Sequence, residues 1–168
     1  IKNLRKIQEA GERKALLISA TGTGKTYASA FAMRELGFRR VLFLVHRNQI
    51  AKQAQKSFRK VFSGQVSMGL VTGKYQEYDK DFIFATIQTL SKEENLHRYE
   101  KNTFDAIVID EAHHSAANSY KKVLDYFEPK LWLGMTATPD KRDDNLEGRN
   151  IYEIFNHQIA YEIRLQDA

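Results

Sequence analysis

Short, uninterrupted apolar runs recur along the sequence at Ala15 to Ile18 (a strand candidate closed by Ser19), Val41 to Val45, Ala106 to Ile109 and Leu131 to Gly134. They do not alternate with polar residues, so strands built from them must be buried on both faces. Helix-length segments separate them. Together these two properties predict an α/β fold with a mainly parallel central sheet and helices on both faces. In such sheets ligands bind beyond the carboxyl ends of the strands, and the chemically unusual residues of this chain all follow strand ends.

The segments between the runs fit the same reading. Gly24 to Leu36 is expected to be a helix with Ala28, Phe31, Ala32 and Leu36 on one face and Gly37 as its stop. Asn48 to Phe62 follows the helical period through Ile50, Ala54, Phe58, Val61 and Phe62. Strands are expected at Val66 to Val71 and Asp81 to Ala85, around a polar loop at Gly73 to Lys80. A short helix is expected from Gln88 to Lys92 and a longer one around Tyr120 to Phe127. "DKRDDNLEGRN", Asp140 to Asn150, reads as a surface loop, and Ile151 to Ala168 as a segment that packs back onto the domain. With 168 residues and 42% hydrophobic content, one core and one domain over 1–168 are expected. The start at Ile1 is read as that of a processed or excised fragment.

"SATGTGKT", Ser19 to Thr26, crowds two glycines, three threonines and a lysine into the turn after the first run. A plain turn needs one glycine at most. The ending Gly24-Lys25-Thr26 is that of a phosphate-binding P-loop. Its glycines let backbone N–H groups turn toward a triphosphate, and the following helix points the positive end of its dipole at the anion. In that pattern Lys25 reaches the β- and γ-phosphates and the Thr26 hydroxyl ligates Mg²⁺. Ala20, Thr21, Gly22, Thr23 and Gly24 complete the cradle, so ATP and Mg²⁺ are the expected cofactors. Ser19 stands where the general pattern has its first glycine. The competing reading is a glycine-rich turn with an incidental lysine.

"FDAIVIDEAHH" places Asp110 and Glu111 at the end of another run. In a nucleotide-hydrolysing site one such carboxylate holds Mg²⁺, and a second orients or deprotonates the attacking water. An isolated Asp-Glu pair would read as a solvated turn. Beside a P-loop in the same chain it reads as the metal-binding half of the site.

"ATGTGKT" (20–26), "DEAH" (110–113) and "TAT" (136–138) occur in the order and spacing of motifs I, II and III of the superfamily 2 helicases. The wider wording "VIDEAHHSAANSY" and "GMTATPDKRDD" most resembles the bacterial group that includes the type I and type III restriction motor subunits. The resemblance covers nearly the whole chain. It implies a RecA-like P-loop NTPase domain, the first of two such motor domains, and an ATP hydrolase that moves on nucleic acid. "FLVHRNQIAKQA" resembles motif Ia, which implies backbone contacts from His46, Arg47 and Gln49. "FATIQTLSK" resembles the later motif that touches the tracking strand, which implies Thr86, Gln88 and Thr89. "VTGK" adds Gly73 and Lys74 more weakly. By the same resemblance His113 links hydrolysis to motif III, and Thr136 and Thr138 couple nucleotide state to nucleic acid. A strand-helix junction with a solvated charged face is the plainer reading of the motif Ia segment. Tyr75 and Tyr78 are candidates for base stacking, while Trp132 lies within an apolar run and reads as core.

The partners implied are nucleic acid, DNA before RNA, and a second RecA-like domain of the same full-length chain that supplies an arginine finger. Where measured in other nucleotide hydrolases that finger is worth roughly 10³ to 10⁵ in rate, so slow or no hydrolysis is expected of this piece alone. A monomer in a bacterial cytoplasm is expected. The net charge of +5 is compatible with a polyanionic partner. The absence of cysteine excludes a disulfide scaffold and cysteine-ligated zinc. No apolar run is long enough to cross a membrane. Two alternatives stay open: the engine of a type I or III restriction endonuclease, and an ATP-dependent switch with no motor activity.

Overall fold

The computed structural model describes residues 14–19, 22–110, 117–136 and 162–165. Among them seven strands form one sheet: β1 (Lys14–Ser19), β2 (Val41–Val45), β3 (Met68–Val71), β4 (Phe82–Thr86), β5 (Ala106–Asp110), β6 (Leu131–Thr136) and β7 (Glu162–Leu165). The helices are α1 (Gly22–Glu35), α2 (Asn48–Phe62), α3 (Ile87–Leu90), α4 (Glu93–Leu96) and α5 (Ala117–Tyr126).

The strand order is β3-β4-β2-β5-β6-β1-β7, and every neighbouring pair is parallel. All carboxyl ends therefore open on one edge. The register aligns them closely. Leu17 faces Met135, Met135 faces Asp110, and Val45 faces Thr86. Val45 and Asp110 each lie one residue past the Leu44–Ile109 pair. One row thus crosses the sheet from Thr86 to Leu17. β5 and β6 fill the gap between β2 and β1, which brings β5 within two strand spacings of β1, about 10 Å.

Alternate strand residues feed two cores. Val41, Phe43, Val45, Phe82, Phe84, Val108 and Leu133 meet α1 and α2 on one face. Leu42, Leu44, Ile83, Ile107, Ile109 and Trp132 meet α3, α4 and α5 on the other. Trp132 is core, as its run implied. Phe58 anchors α2 through edge contacts to Phe43 at 5.5 Å, Phe84 at 5.1 Å and Phe82 at 6.0 Å between ring centroids. Aromatic pairs at such distances add to the simple burial of their area.

Gly37 ends α1 as expected. Its φ of +74° suits glycine, and Gly37 and Phe38 donate backbone bonds to the carbonyls of Arg34 and Met33. The face of α1 differs from expectation. Ser29, Ala30, Ala32 and Met33 are buried, while Phe31 is 40% exposed beneath the Arg34 guanidinium. Alanines spread around this helix leave its sequence with almost no amphipathic contrast, so one phenylalanine misdirects the assignment. α1 also begins at Gly22, two residues before the expected start. β7 was not foreseen as a strand, and α4 falls in a segment to which no element was assigned.

Candidate functional site

β1 delivers the chain to the carboxyl edge at Ser19, and α1 begins three residues later at Gly22. Gly22, Thr23, Gly24, Lys25 and Thr26 form its first turns. That stretch holds no acidic residue, so no carboxylate of the helix's own first turn offsets its positive end. Thr26 is half-buried, and its carbonyl accepts a bond from the buried Ser29 hydroxyl at 2.7 Å. Asp110 ends β5 and is half-buried. Thr136 ends β6 in register with Ile18 of β1. The sheet therefore brings the start of α1, Asp110 and Thr136 to one side of one edge. Ala20, Thr21, Glu111, His113 and Thr138 lie outside the described residues.

A hydroxyl and a carboxylate are the hard oxygen donors that suit Mg²⁺. That ion binds through one or two carboxylates together with waters and substrate phosphates rather than in an all-protein cage. Among the described residues no group of three or more His, Cys, Asp or Glu could hold a metal by itself; the Thr26 hydroxyl and the Asp110 carboxylate are oxygen donors of the kind such an ion takes. Two cavities among the described residues, about 350 and 590 Å³, lie around Arg40 and Asp81 at the amino ends of β2 and β4. They are on the opposite edge and are not part of this site.

The second group of candidates follows β2, β3 and β4. Arg47 and Gln49 are exposed at the start of α2, and His46 beside them is half-buried. Gln88 is exposed on α3 and donates to the His46 carbonyl at 3.4 Å, which ties the two strand-end turns together. Thr86 is buried, and its hydroxyl donates to the Thr89 hydroxyl at 2.9 Å. Thr86 thus shapes the turn, while Gln88 and Thr89 reach its surface.

Between β3 and β4 the Thr72 hydroxyl accepts the backbone N–H groups of Lys74 and Tyr75 at 3.1 and 3.2 Å. Lys74 and Tyr75 are exposed, and the Lys52 ammonium lies 5.1 Å from the Tyr75 ring centroid. Tyr78 differs from Tyr75. Its hydroxyl donates to Asn95 Oδ1 at 2.7 Å, and the Arg98 guanidinium covers its ring at 4.3 Å. Of the two tyrosines, Tyr75 is the more exposed.

Asn95, 8% exposed, is a participant that sequence reasoning missed. Its amide donates to the Thr89 carbonyl at 2.6 Å while its oxygen takes the Tyr78 hydroxyl. Tyr99 donates to the Tyr78 carbonyl at 2.8 Å, and Tyr126 of α5 donates to the Tyr99 carbonyl. Burial pushes the Tyr99 phenol well above its ordinary value, with Tyr78 and Asp79 adding to the shift and Arg40 and Arg98 opposing it. No local signal marks Asn95, which sits in the polar run "SKEENL".

Comparison with known proteins bears on the family and the fold. The family model described as "Type III restriction enzyme, res subunit" matches residues 1–141. A Saccharomyces cerevisiae protein described as "Putative ATP-dependent helicase IRC3" is 36% identical over 91% of the chain, and the match spans 24% of that protein. The type I restriction enzyme EcoAI endonuclease subunit of Escherichia coli is 33% identical over 77% of the chain and 17% of its own length. The chain therefore spans a quarter or less of these relatives. In fold it is similar to a structure described as a "hypothetical ATP-dependent RNA helicase from Sulfolobus tokodaii". The TM-score is 0.72 at 22% identity, over 90% of this chain and 48% of that one. Yeast Dbp5 in a complex with Nup159, Gle1, IP6 and ADP superposes at the same TM-score of 0.72 with 16% identity, over 96% of this chain and 48% of that one. Among the described residues no helix is long and apolar enough to cross a membrane. The chain belongs to the type III restriction enzyme res-subunit family and carries the RecA-like ATP-binding domain of the superfamily 2 helicases.

Proposed function

We propose that this chain is the N-terminal ATP-binding domain of an ATP-dependent helicase or translocase that works on DNA. The observation that carries the reading is the shared edge. The start of α1, Asp110 and Thr136 share the carboxyl edge of one parallel sheet with Arg47, Gln49, Gln88 and Thr89, and the bond from Gln88 to the His46 carbonyl joins the turns after β4 and β2.

On this reading residues 20–24 and the first N–H groups of α1 bind the phosphates, and Lys25 neutralises their charge. Thr26 and Asp110 hold Mg²⁺. When bound, Mg²⁺–ATP supplies a phosphoanhydride whose hydrolysis releases the free energy for movement. Glu111 orients the attacking water and accepts its proton. His113, Thr136 and Thr138 carry the state of the nucleotide site to the nucleic-acid side. Arg47, Gln49, Gln88 and Thr89 donate to the phosphate backbone. A second RecA-like domain completes the cleft and supplies the arginine finger. DNA as substrate is in line with the relatives named as restriction endonuclease subunits. Those same relatives favour a second reading, in which the motor drives a restriction-type nuclease. The absence of cysteine suits a cytoplasmic setting.

The test compares wild-type protein with Lys25→Ala by titration with Mg²⁺–ATP, then with duplex DNA. Loss of at least tenfold in ATP affinity with DNA binding retained is expected. Unchanged ATP affinity would overturn the phosphate assignment. ATPase activity of the full-length protein that ignores DNA would favour a nucleotide switch instead.

A further inference from the structure

The charge of this chain is distributed unevenly. Eight of its 26 Lys and Arg and none of its 21 Asp and Glu lie between Leu36 and Gln76. That stretch therefore carries +8 and the remainder −3, although acids spread evenly over 168 residues would place about five there. Four of the eight cations, Lys52, Lys56, Arg59 and Lys60, stand on α2, and all are exposed.

Their placement is fixed. At about 100° per residue the four fall within an arc of roughly 100°, and the anchored Phe58 points into the sheet from the opposite side. Neighbours three and four apart on a helix meet on its surface, and like charges there repel. No acid in α2 relieves them. At about 1.5 Å per residue the row from Lys52 to Lys60 is about 12 Å long. That equals three to four nucleotides along one strand of a duplex, at about 3.4 Å each.

The row also joins the strand-end contacts. Arg47 at the N-cap and Gln49 in the first turn of the same helix precede it, and Lys52 lies over Tyr75, next to Lys74. We propose that the outer face of α2 is a second phosphate track, along which the backbone of duplex DNA continues past the strand-end turns. A row of fixed cations with no carboxylates, level with a polyanion contact at one end, fits a regular phosphate ladder. This inference rests on the proposed nucleic-acid function and extends it to Lys56, Arg59 and Lys60, which the helicase motifs do not include.

The experiment measures binding of a 30-base-pair duplex, at several salt concentrations, by wild-type protein, by Lys56→Gln/Arg59→Gln/Lys60→Gln, and by Arg47→Gln/Gln49→Ala. Each phosphate contact adds about 0.9 to the slope of log K against log salt. The triple variant should lower that slope by about two to three and weaken binding at 0.1 M salt by roughly 10- to 100-fold. Its melting temperature should not fall, because the change removes repulsion. A triple variant with wild-type slope and affinity, while Arg47→Gln/Gln49→Ala weakens binding, overturns the track and leaves the proposed function standing. Failure of the wild-type protein to bind any duplex overturns the proposed function itself. Equal capture of wild-type protein by phosphatidylserine vesicles, lost in the triple variant while the DNA slope stays unchanged, assigns the row to a lipid surface and also overturns the track.

Discussion

Replacing Asn95 with leucine isolates one polar tie behind the nucleic-acid turns. Leucine has a similar volume, so packing changes little, but both side-chain bonds vanish. Asn95 is 8% exposed and bonds to the Thr89 carbonyl at 2.6 Å and the Tyr78 hydroxyl at 2.7 Å. The Thr89 carbonyl loses its short 2.6 Å donor and keeps the Lys92 backbone N–H at 3.4 Å, which costs about 1 kcal/mol. Tyr78 is half-buried, so its hydroxyl recovers water more readily and loses about 0.5–1 kcal/mol. The expected destabilisation is therefore about 1.5–2 kcal/mol, read from urea unfolding at 25 °C.

The effect should also be local. Asn95 holds the turn that carries Gln88 and Thr89, whereas β5 and β6 stand between β2 and the start of α1. DNA affinity should fall about fivefold while Mg²⁺–ATP affinity holds. A cycle with Tyr78→Phe should show coupling of about 1 kcal/mol, because the two residues share one bond. A loss under about 0.5 kcal/mol with DNA affinity intact would refute the argument that Asn95 positions the turn.

Two further substitutions test the packing. A Cβ on Gly69 would lie 2.6 Å from the Glu77 carbonyl oxygen and 2.7 Å from Lys80 Cγ, whereas one on Gly73 meets nothing within 4 Å. Gly69→Ala should cost about 1–3 kcal/mol and lower the melting temperature by several degrees, with Gly73→Ala near neutral; equal effects would show that the β3 edge yields freely. Tyr99 keeps its proton in the fold above the pH at which an unfolded tyrosine loses it. Its contribution is complete below about pH 10 and then declines by about 1.4 kcal/mol per pH unit until the buried phenol itself ionises. The alkaline loss of stability should be shallower in Tyr99→Phe, and identical slopes would contradict burial as the cause.

Strands buried on both faces, such as β2 and β5, were legible because that burial marks the sequence, whereas β7 was not foreseen. Val41 to Val45 reads as a buried strand whatever packs against it, and the structure gives β2 those bounds. The helix Asn48 to Phe62 was equally legible, since its apolar positions follow one period and its cations the other face. α1 was less so, because alanine fits both the core and the surface. At the site, the spacing of Lys25, Asp110 and Thr136 could be read along the chain, but their common edge depends on β5 and β6 inserting between β2 and β1. The ties that shape the nucleic-acid turns lie further out of reach. Gln88 meets a carbonyl 42 positions away and Tyr78 meets Asn95 across 17. Such bonds are set by where the ends of separate strands arrive, and a polar residue in a loop looks the same in sequence whether it meets water or a buried carbonyl. Periodicity records which side of an element is dry. It carries no record of which polar groups the folded sheet brings together, so Asn95 becomes visible only once β4 and the β3–β4 loop are in place.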